Sequence, residues 1–424
     1  MILLTLTEAQ ADSVALLRDD PDVSAVLARA RLSRNKAFLA AIVQAGHARA
    51  AFEVLAEAQR RAPAAVDRIL THPRFGAWVA DCATHERMSG ADRLGAFAAA
   101  AAIRATMPFD LEAPTPDGAL VLPTLGALTG LTGPSLRIRS SGAGNPFAAR
   151  PDWRGLRLLR ARTRAGALTV ELDEFPPAFA EATSPFPALA ELRAEDREEW
   201  QRLFAAAVEL IEWAVPELGG PLSRGMRSVI PIAATLDGAS LATQTDAFGA
   251  AAMILPDTDA AMAVALLHEF QHSKLGALSE LVPLVADDTV DLYSPWRTEP
   301  RPASAVLHGA FAHAAVALFW SRLATRWQGV SATEAWAEAE LARAQTLLAC
   351  ADLAASGRLS PAGRRFVSLL HRCTRHMAAA PSAGTRRLAQ DRLAAHRSDW
   401  TRRQRRTPPG DCRTAASTGT EAAP

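Results

Sequence analysis

Tyrosine occurs once in this 424-residue chain, at Tyr293, and cysteine four times, at Cys82, Cys350, Cys373 and Cys412. No two cysteines form a C-x-x-C pair, which argues against a zinc knuckle or a disulfide frame; the thiols read as reduced, in a cytoplasmic protein. An excess of either charge is also lacking: 46 Lys+Arg against 45 Asp+Glu leave a net charge of +1. Nothing therefore points to nucleic acid or an anionic membrane as the main partner. Apolar runs stay short of the roughly 18 residues a spanning helix needs, or are broken by charge. The opening Met1-Ile-Leu-Leu-Thr-Leu-Thr lacks the basic n-region of a signal peptide. What remains, 49% hydrophobic against 21% charged residues, describes a globular chain able to bury a large core in two or more lobes.

Three regions are expected. Residues 1–108 read as helical, with a start at Asp20-Pro-Asp-Val and an Ala-rich amphipathic run over Ala91–Met107. His47, His72 and His85 stand alone there and read as ordinary surface or core histidines. Residues 109–398 open with a Gly-, Pro- and Ser-rich stretch to about 155, read as loops with short strands. A strand at Leu168–Leu172 follows, then a helix over Ala194–Trp213, and strands at Ser228–Ala233 and Ala242–Leu255 around a turn at Asp237-Gly238. Helices are expected from Asp259 to before Pro283 and over Ser304–Trp327, Ala332–Ser356 and Pro361–Ala379. From 399 to 424 the composition predicts a disordered basic tail, in which Arg402, Arg403, Arg405 and Arg406 are solvated. The fold class expected is mainly α with a small β-sheet, an α+β protein with a zincin-like metal helix.

That helix carries His268-Glu269-Phe270-Gln271-His272. Histidines four apart on a helix are rotated by about 40° and separated by about 6 Å along the axis. Both imidazoles can therefore reach one divalent ion, with Glu269 beside it. The run Ala260–Leu267 before them is almost wholly apolar, so the helix is expected to be buried, where histidines need partners.

A third ligand has to come from elsewhere. Glu280 lies about 18 Å along a continuous helix from His268 and could serve only if the helix breaks at Gly276. Glu299, held between Pro295 and Pro300, is preferred; His308 on the next helix is the alternative. Two chemistries fit such a set. Zinc with Glu269 as general base gives peptide hydrolysis. Ferrous iron with open positions gives oxygenase chemistry with 2-oxoglutarate. Arg297 and Arg301 flank Glu299, and a guanidinium fork suits the distal carboxylate of a keto-diacid.

Four blocks in order then resemble a known family: Thr243-Gln-Thr-Asp-Ala-Phe-Gly249, Leu266–Leu278, Pro295-Trp-Arg-Thr-Glu-Pro-Arg-Pro302 and Leu307-His-Gly309. The sequence resembles the HExxH-motif domain associated with radical-SAM peptide maturases, whose members are 2-oxoglutarate, non-haem-iron β-hydroxylases of ribosomally made precursor peptides. The likeness spans about 168 to 325. It implies His268 and His272 as iron ligands completed by a carboxylate, assigned to Glu299, and places Glu269 outside the ligand set, orienting it. Fe(II) is the implied metal, with 2-oxoglutarate as co-substrate held by Arg301 or Arg297. The implied partners are a precursor peptide and a separate radical-SAM maturase, since the chain has no C-x-x-x-C-x-x-C cluster. A zinc peptidase is the competing enzyme, and a metal-stabilised peptide-recognition module the non-enzymatic reading. The helical first hundred residues are expected to serve peptide docking, and the peptide to lie along the strand Ala242–Leu255, where Gly249 would let its backbone approach; an interior strand whose small residues serve tight packing is the alternative.

Overall fold

In the computed structural model of the chain, residues 4–84, 88–176, 189–233, 241–242 and 247–406 are described. His85, Cys412, the turn at Asp237-Gly238 and residues 243–246 of the first resemblance block lie outside them. The fold is mostly helical with small sheets, as the composition predicts. It divides into two compact units, Met1–Pro283 and Leu284–Pro424, whereas the sequence suggested divisions at 108 and 398.

The first unit opens with six helices, α1 (Glu8–Ala15), α2 (Pro21–Gln44), α3 (Arg49–Arg61), α4 (Pro63–Leu70), α5 (Pro73–Thr84) and α6 (Leu94–Arg104). The Asp20-Pro21 start behaves as read: the Asp20 carboxylate accepts from the backbone N–H of Asp22 (3.1 Å) and Val23 (3.2 Å), and Pro21 needs no partner in the first turn. Strands β1 (Phe109–Pro114), β2 (Ala119–Leu122), β3 (Gly126–Thr129), β4 (Ser135–Ser140) and β5 (Trp153–Gly155) follow. They form an antiparallel β1–β4 pair and a three-stranded sheet β2-β3-β5. One hydrophobic core joins the helices to these strands. Leu39, Leu55, Phe75 and Phe97 pack in the same cluster as Leu111, Leu128 and Ile138. The helices therefore bury their apolar faces against the strands on the far side of residue 108, which is why that boundary does not separate two bodies.

Strands β6 (Arg157–Thr163) and β7 (Gly166–Leu172) lead to helices α7 (Ala194–Ala214) and α8 (Pro216–Gly225), then β8 (Ser228–Pro231), β9 (Leu241–Ala242), β10 (Ala250–Met253) and α9 (Asp259–Leu281). The strands make one mixed sheet in the order β6-β7-β8-β10-β9, parallel at β7–β8 and β8–β10 and antiparallel at its two margins. Buried polar contacts tie the start of α5 to the end of β7. His72 Nε2 lies 2.9 Å from Glu171, and Arg74 Nε donates to Asp173 at 2.7 Å. All four side chains are buried. Strand alternation puts Glu171 on the same face as the exposed Thr169; only the arrival of α5 buries it.

The strand expected over Ala242–Leu255 is shorter. Within it, β10 is buried at all four residues and lies between β8 and β9, with β9 pairing at Ala252 and Met253, so it is not the edge strand a peptide would extend. Gly249 does admit a close backbone, but the chain's own. A Cβ there (φ +81°) would overlap the Gly225 carbonyl, and the N–H groups of Arg227 (2.8 Å) and Ser228 (3.1 Å) both donate to the Gly249 carbonyl.

The second unit consists of an extended segment and four helices: α10 (Ala303–Ala324), α11 (Gly329–Ala355), α12 (Pro361–Arg375) and α13 (Ala383–Arg406). Trp296 stacks on His313, with ring centroids 4.5 Å apart, and covers Gly309, where a Cβ would overlap the indole. Leu307-His-Gly309 and Pro295-Trp thus belong to one packing contact. The single tyrosine holds α13: its hydroxyl lies 2.8 Å from His396 Nδ1 and its ring meets Trp400 edge-on. That anchor explains why the helix continues to Arg406, past residue 399, where disorder was expected to begin. Against the expectation of no spanning-length run, α10 is long and apolar enough to cross a membrane. Its most apolar window is 72% buried inside the fold, which accounts for the composition by packing.

Candidate metal-binding site

Helix α9 has clear local causes. The Thr258 hydroxyl accepts from the Ala261 N–H at 3.1 Å, Asp259 sits in the first turn, and Pro283 follows the last. Phe270 packs its ring where a Cβ of Gly225 would stand, and Ser273 Oγ accepts from the Gly249 N–H at 3.3 Å. Both contacts fix the rotation of α9 against the end of α8 and the start of β10. Between Ala260 and Leu278 the helix is buried at every position except Ala261, Val264, His268 and His272. These fall at helical spacings of three, four and four, one stripe along the axis. Both histidines stand on the only strip of α9 that the fold leaves accessible over that length.

The rings meet there. Nε2 of His268 and Nε2 of His272 are 3.0 Å apart, with ring centroids at 4.7 Å and planes crossing at 73°. Two imidazole nitrogens that bind one ion at about 2.0–2.1 Å each are separated by about 3 Å when they are neighbours in its coordination sphere. The Nε2···Nε2 separation is therefore the one that two ligands of a single metal take. Among the described residues no group of three or more His, Cys, Asp or Glu is gathered for a metal; of the candidate ligands, the structure brings together His268 and His272.

Glu269 lies on a different face from the two rings. It is 1% exposed, its Oε2 has no hydrogen-bond partner, and burial pushes its carboxyl up to about 8. Gln271 is equally buried and its Oε1 also lacks a partner. Lys274 completes a polar set on the same helix, burial pulling its ammonium down to about 8. Gln271 and Lys274 went unnoticed in the sequence. Their signal was polar residues at positions that the apolar flanks Ala260–Leu267 and Leu275–Leu278 mark as interior.

Of the third-ligand candidates, Glu280 is ruled out by geometry. Helix α9 runs unbroken through the buried Gly276, and Glu280 pairs instead with Arg31 (2.9 Å) and Arg34 (2.7 Å). Glu299 lies in the second unit, exposed. Its Oε1 accepts from the Thr298 hydroxyl at 2.7 Å; that bond, its own backbone N–H, and the charges of Arg297 and Arg301 hold it below the usual carboxylate range. Arg301 is pinned through its backbone, exchanging N–H···O bonds with Leu292 at 2.9 and 3.0 Å, while its side chain is exposed. Arg297 is exposed as well. His308 sits half-buried on α10 beside the Trp296-covered Gly309.

No protein-family model matches the chain. A search of the curated proteins finds no match either.

Proposed function

We propose that the chain is an Fe(II)- and 2-oxoglutarate-dependent oxygenase that hydroxylates the β-carbon of a residue in a ribosomally made peptide. The observation that supports it best is the Nε2 pair of His268 and His272, 3.0 Å apart on the one accessible stripe of a buried helix; the four ordered sequence blocks add the direction. Ferrous iron bound there would couple oxidative decarboxylation of 2-oxoglutarate to insertion of one oxygen atom into a C–H bond. His268 and His272 would hold the ion through their imidazoles, and the Phe270–Gly225 contact fixes the helix that carries both rings. Glu299 is the carboxylate assigned to the third position. Arg301, then Arg297, is assigned to the distal carboxylate of 2-oxoglutarate, where a planar fork gives two parallel hydrogen bonds. A separate radical-SAM maturase acting on the same peptide, and a cytoplasmic location, belong to this reading.

One observation favours a second reading. Glu269, adjacent in sequence to His268, carries an unpartnered buried carboxyl oxygen, and the acid at this place in His-Glu-x-x-His is the general base of a zinc peptidase. Anaerobic protein given Fe(II) and 2-oxoglutarate separates the two. Succinate formation that requires both histidines supports the oxygenase. Tightly held zinc with no response to iron and 2-oxoglutarate moves the assignment to the peptidase.

A further inference from the structure

The first unit has a second feature built for binding, on the opposite margin of its five-stranded sheet from β9. Among the described residues strand β6 pairs only with β7 and is the terminal strand of that sheet. Its outward backbone groups can be assigned from one contact. The side chain of Gln201 on α7 reaches across and accepts from the Arg160 N–H at 2.9 Å while donating to the Arg160 carbonyl at 2.8 Å. Arg160 therefore points away from β7, and ladder alternation sends Leu158 and Arg162 the same way. At one end the edge is tied off, where the Leu156 N–H donates to the Leu125 carbonyl at 2.9 Å. The N–H and C=O of Leu158 and Arg162 have no hydrogen-bond partner among the described residues.

A groove runs along this edge. One part, about 570 Å³, lies between Leu156–Arg160 and the α7 stripe Ala194, Arg197, Glu198 and Gln201. A larger part, about 970 Å³, shares Arg157 and Arg197 with it and extends over Arg154 to the half-buried indole of Trp153. The margin is strongly basic: Arg154, Arg157, Arg160, Arg162 and Arg164 are all exposed within eleven residues. Arg157 and Arg164 face Glu174 and Glu212 only at 3.8 and 3.9 Å, and Arg154, Arg160 and Arg162 have no carboxylate partner among the described residues. Glu174, Glu191 and Glu198 also line the groove, but Glu174 is already engaged by Arg197 at 2.7 Å.

We propose that the β6 edge, from Arg157 to Arg162, together with Arg154 of β5, is a docking groove for an extended peptide segment carrying carboxylates, which adds to the five-stranded sheet as an extra strand. The backbone of Leu158 and Arg162, four residues apart, supplies the two outer rungs, and the peptide displaces the Gln201 carboxamide from the Arg160 rung between them. The Gln201 carboxamide already occupies the middle rung as a peptide unit would, showing that the edge accepts an amide in that geometry. The unpaired arginines select the acidic residues. This deepens the oxygenase reading by giving its peptide substrate an anchoring place in the first unit, remote in sequence from the metal helix.

The test is fluorescence anisotropy of the full chain with a labelled eight-residue peptide of alternating Glu and Val, compared with its Lys–Val counterpart and a form N-methylated at alternate amides. The Glu–Val peptide is expected to bind with a Kd below about 100 μM at low salt and to weaken as salt rises. Arg154→Glu combined with Arg160→Glu should weaken it by roughly tenfold or more, and N-methylation by a similar factor. Leu158→Pro removes an outward N–H without touching the β6–β7 ladder and should weaken binding in a variant whose thermal unfolding is unchanged. No binding up to about 1 mM, equal binding of the Lys–Val peptide, or indifference to N-methylation overturns the proposal. So does a self-associated chain whose dimer is lost in Leu158→Pro, which would make a second copy the occupant. Neither metal nor 2-oxoglutarate is present in this measurement. Peptide binding in a protein with no iron-dependent turnover would reject the oxygenase and keep the groove; turnover with no binding here would do the reverse.

Discussion

The Trp296 indole occupies the space in which a Cβ on Gly309 would stand, and stacks at 12° on His313 one turn further along α10. Glycine in a helix interior costs about 1 kcal/mol relative to alanine, so on propensity alone Gly309→Ala would stabilise α10. The overlap decides the sign. The ring has to move and lose its stacking partner, and Gly309→Ala is expected to destabilise the protein by about 1–3 kcal/mol in urea unfolding. A stabilised variant would show that the indole has somewhere else to go.

His313 gives the same contact a pH dependence. Burial lowers its pKa to about 4, and its Nδ1 lies 2.9 Å from the Gly309 carbonyl, to which the neutral ring donates. The unfolded chain binds the proton with the ordinary affinity, near 6.5. Between these values the unfolded state holds more protons, so this contribution to stability is complete above about pH 6.5 and is lost as pH falls toward 4. The full shift corresponds to at most about 3 kcal/mol, less to the extent that the half-buried ring reaches water. His313→Phe should flatten the curve of stability against pH across that window. An unchanged slope would assign the acid sensitivity elsewhere.

Iron binding is expected to fail on His268→Ala or His272→Ala, with one ferrous ion per chain in the parent protein by anaerobic metal analysis. Glu269→Gln then separates the two chemistries. A peptidase should lose essentially all activity, while an oxygenase keeps a measurable fraction because its reaction needs no such base.

Arg301→Lys, or Arg297→Lys, is expected to raise the 2-oxoglutarate concentration needed for half-maximal succinate formation by about tenfold or more while leaving iron stoichiometry intact. Normal co-substrate dependence in both variants would reject the assignment. The Leu292–Arg301 backbone bridge does not depend on the side chain, so lost thermal stability would point to a role for the arginine in holding the segment.

Arg74 and Asp173 form a bidentate pair with both side chains buried. Asp173→Asn leaves a buried guanidinium without a counter-charge and should cost about 3–5 kcal/mol in chemical unfolding. Replacing Arg74 and Asp173 together by apolar residues should cost much less, because no uncompensated charge remains.

Much of α9 was legible in the sequence because its signals are local. Thr258 caps it, Pro283 follows it, and the histidine spacing places both rings on one stripe. The strand beside it was not. A run of small residues from Ala242 to Leu255 reads alike for an edge or an interior strand, and only the pairing of β10 with β8 and β9 decides. The burial of Glu171 was likewise invisible, since its partner His72 lies 99 residues away. Helix α13 escaped notice because its anchor is the distant Tyr293 and not an apolar face of its own.

The enclosure of α9 has a consequence for exchange with solvent. A helix walled in from Ala260 to Leu278 can expose its amides only when a large part of the first unit opens, so its N–H groups should be among the slowest to exchange with deuterium. An ion at the proposed site, on the one accessible stripe, would come and go without such an opening. Metal arrival would then leave the amide exchange of α9 nearly unchanged, and occupancy would be read only by the rings.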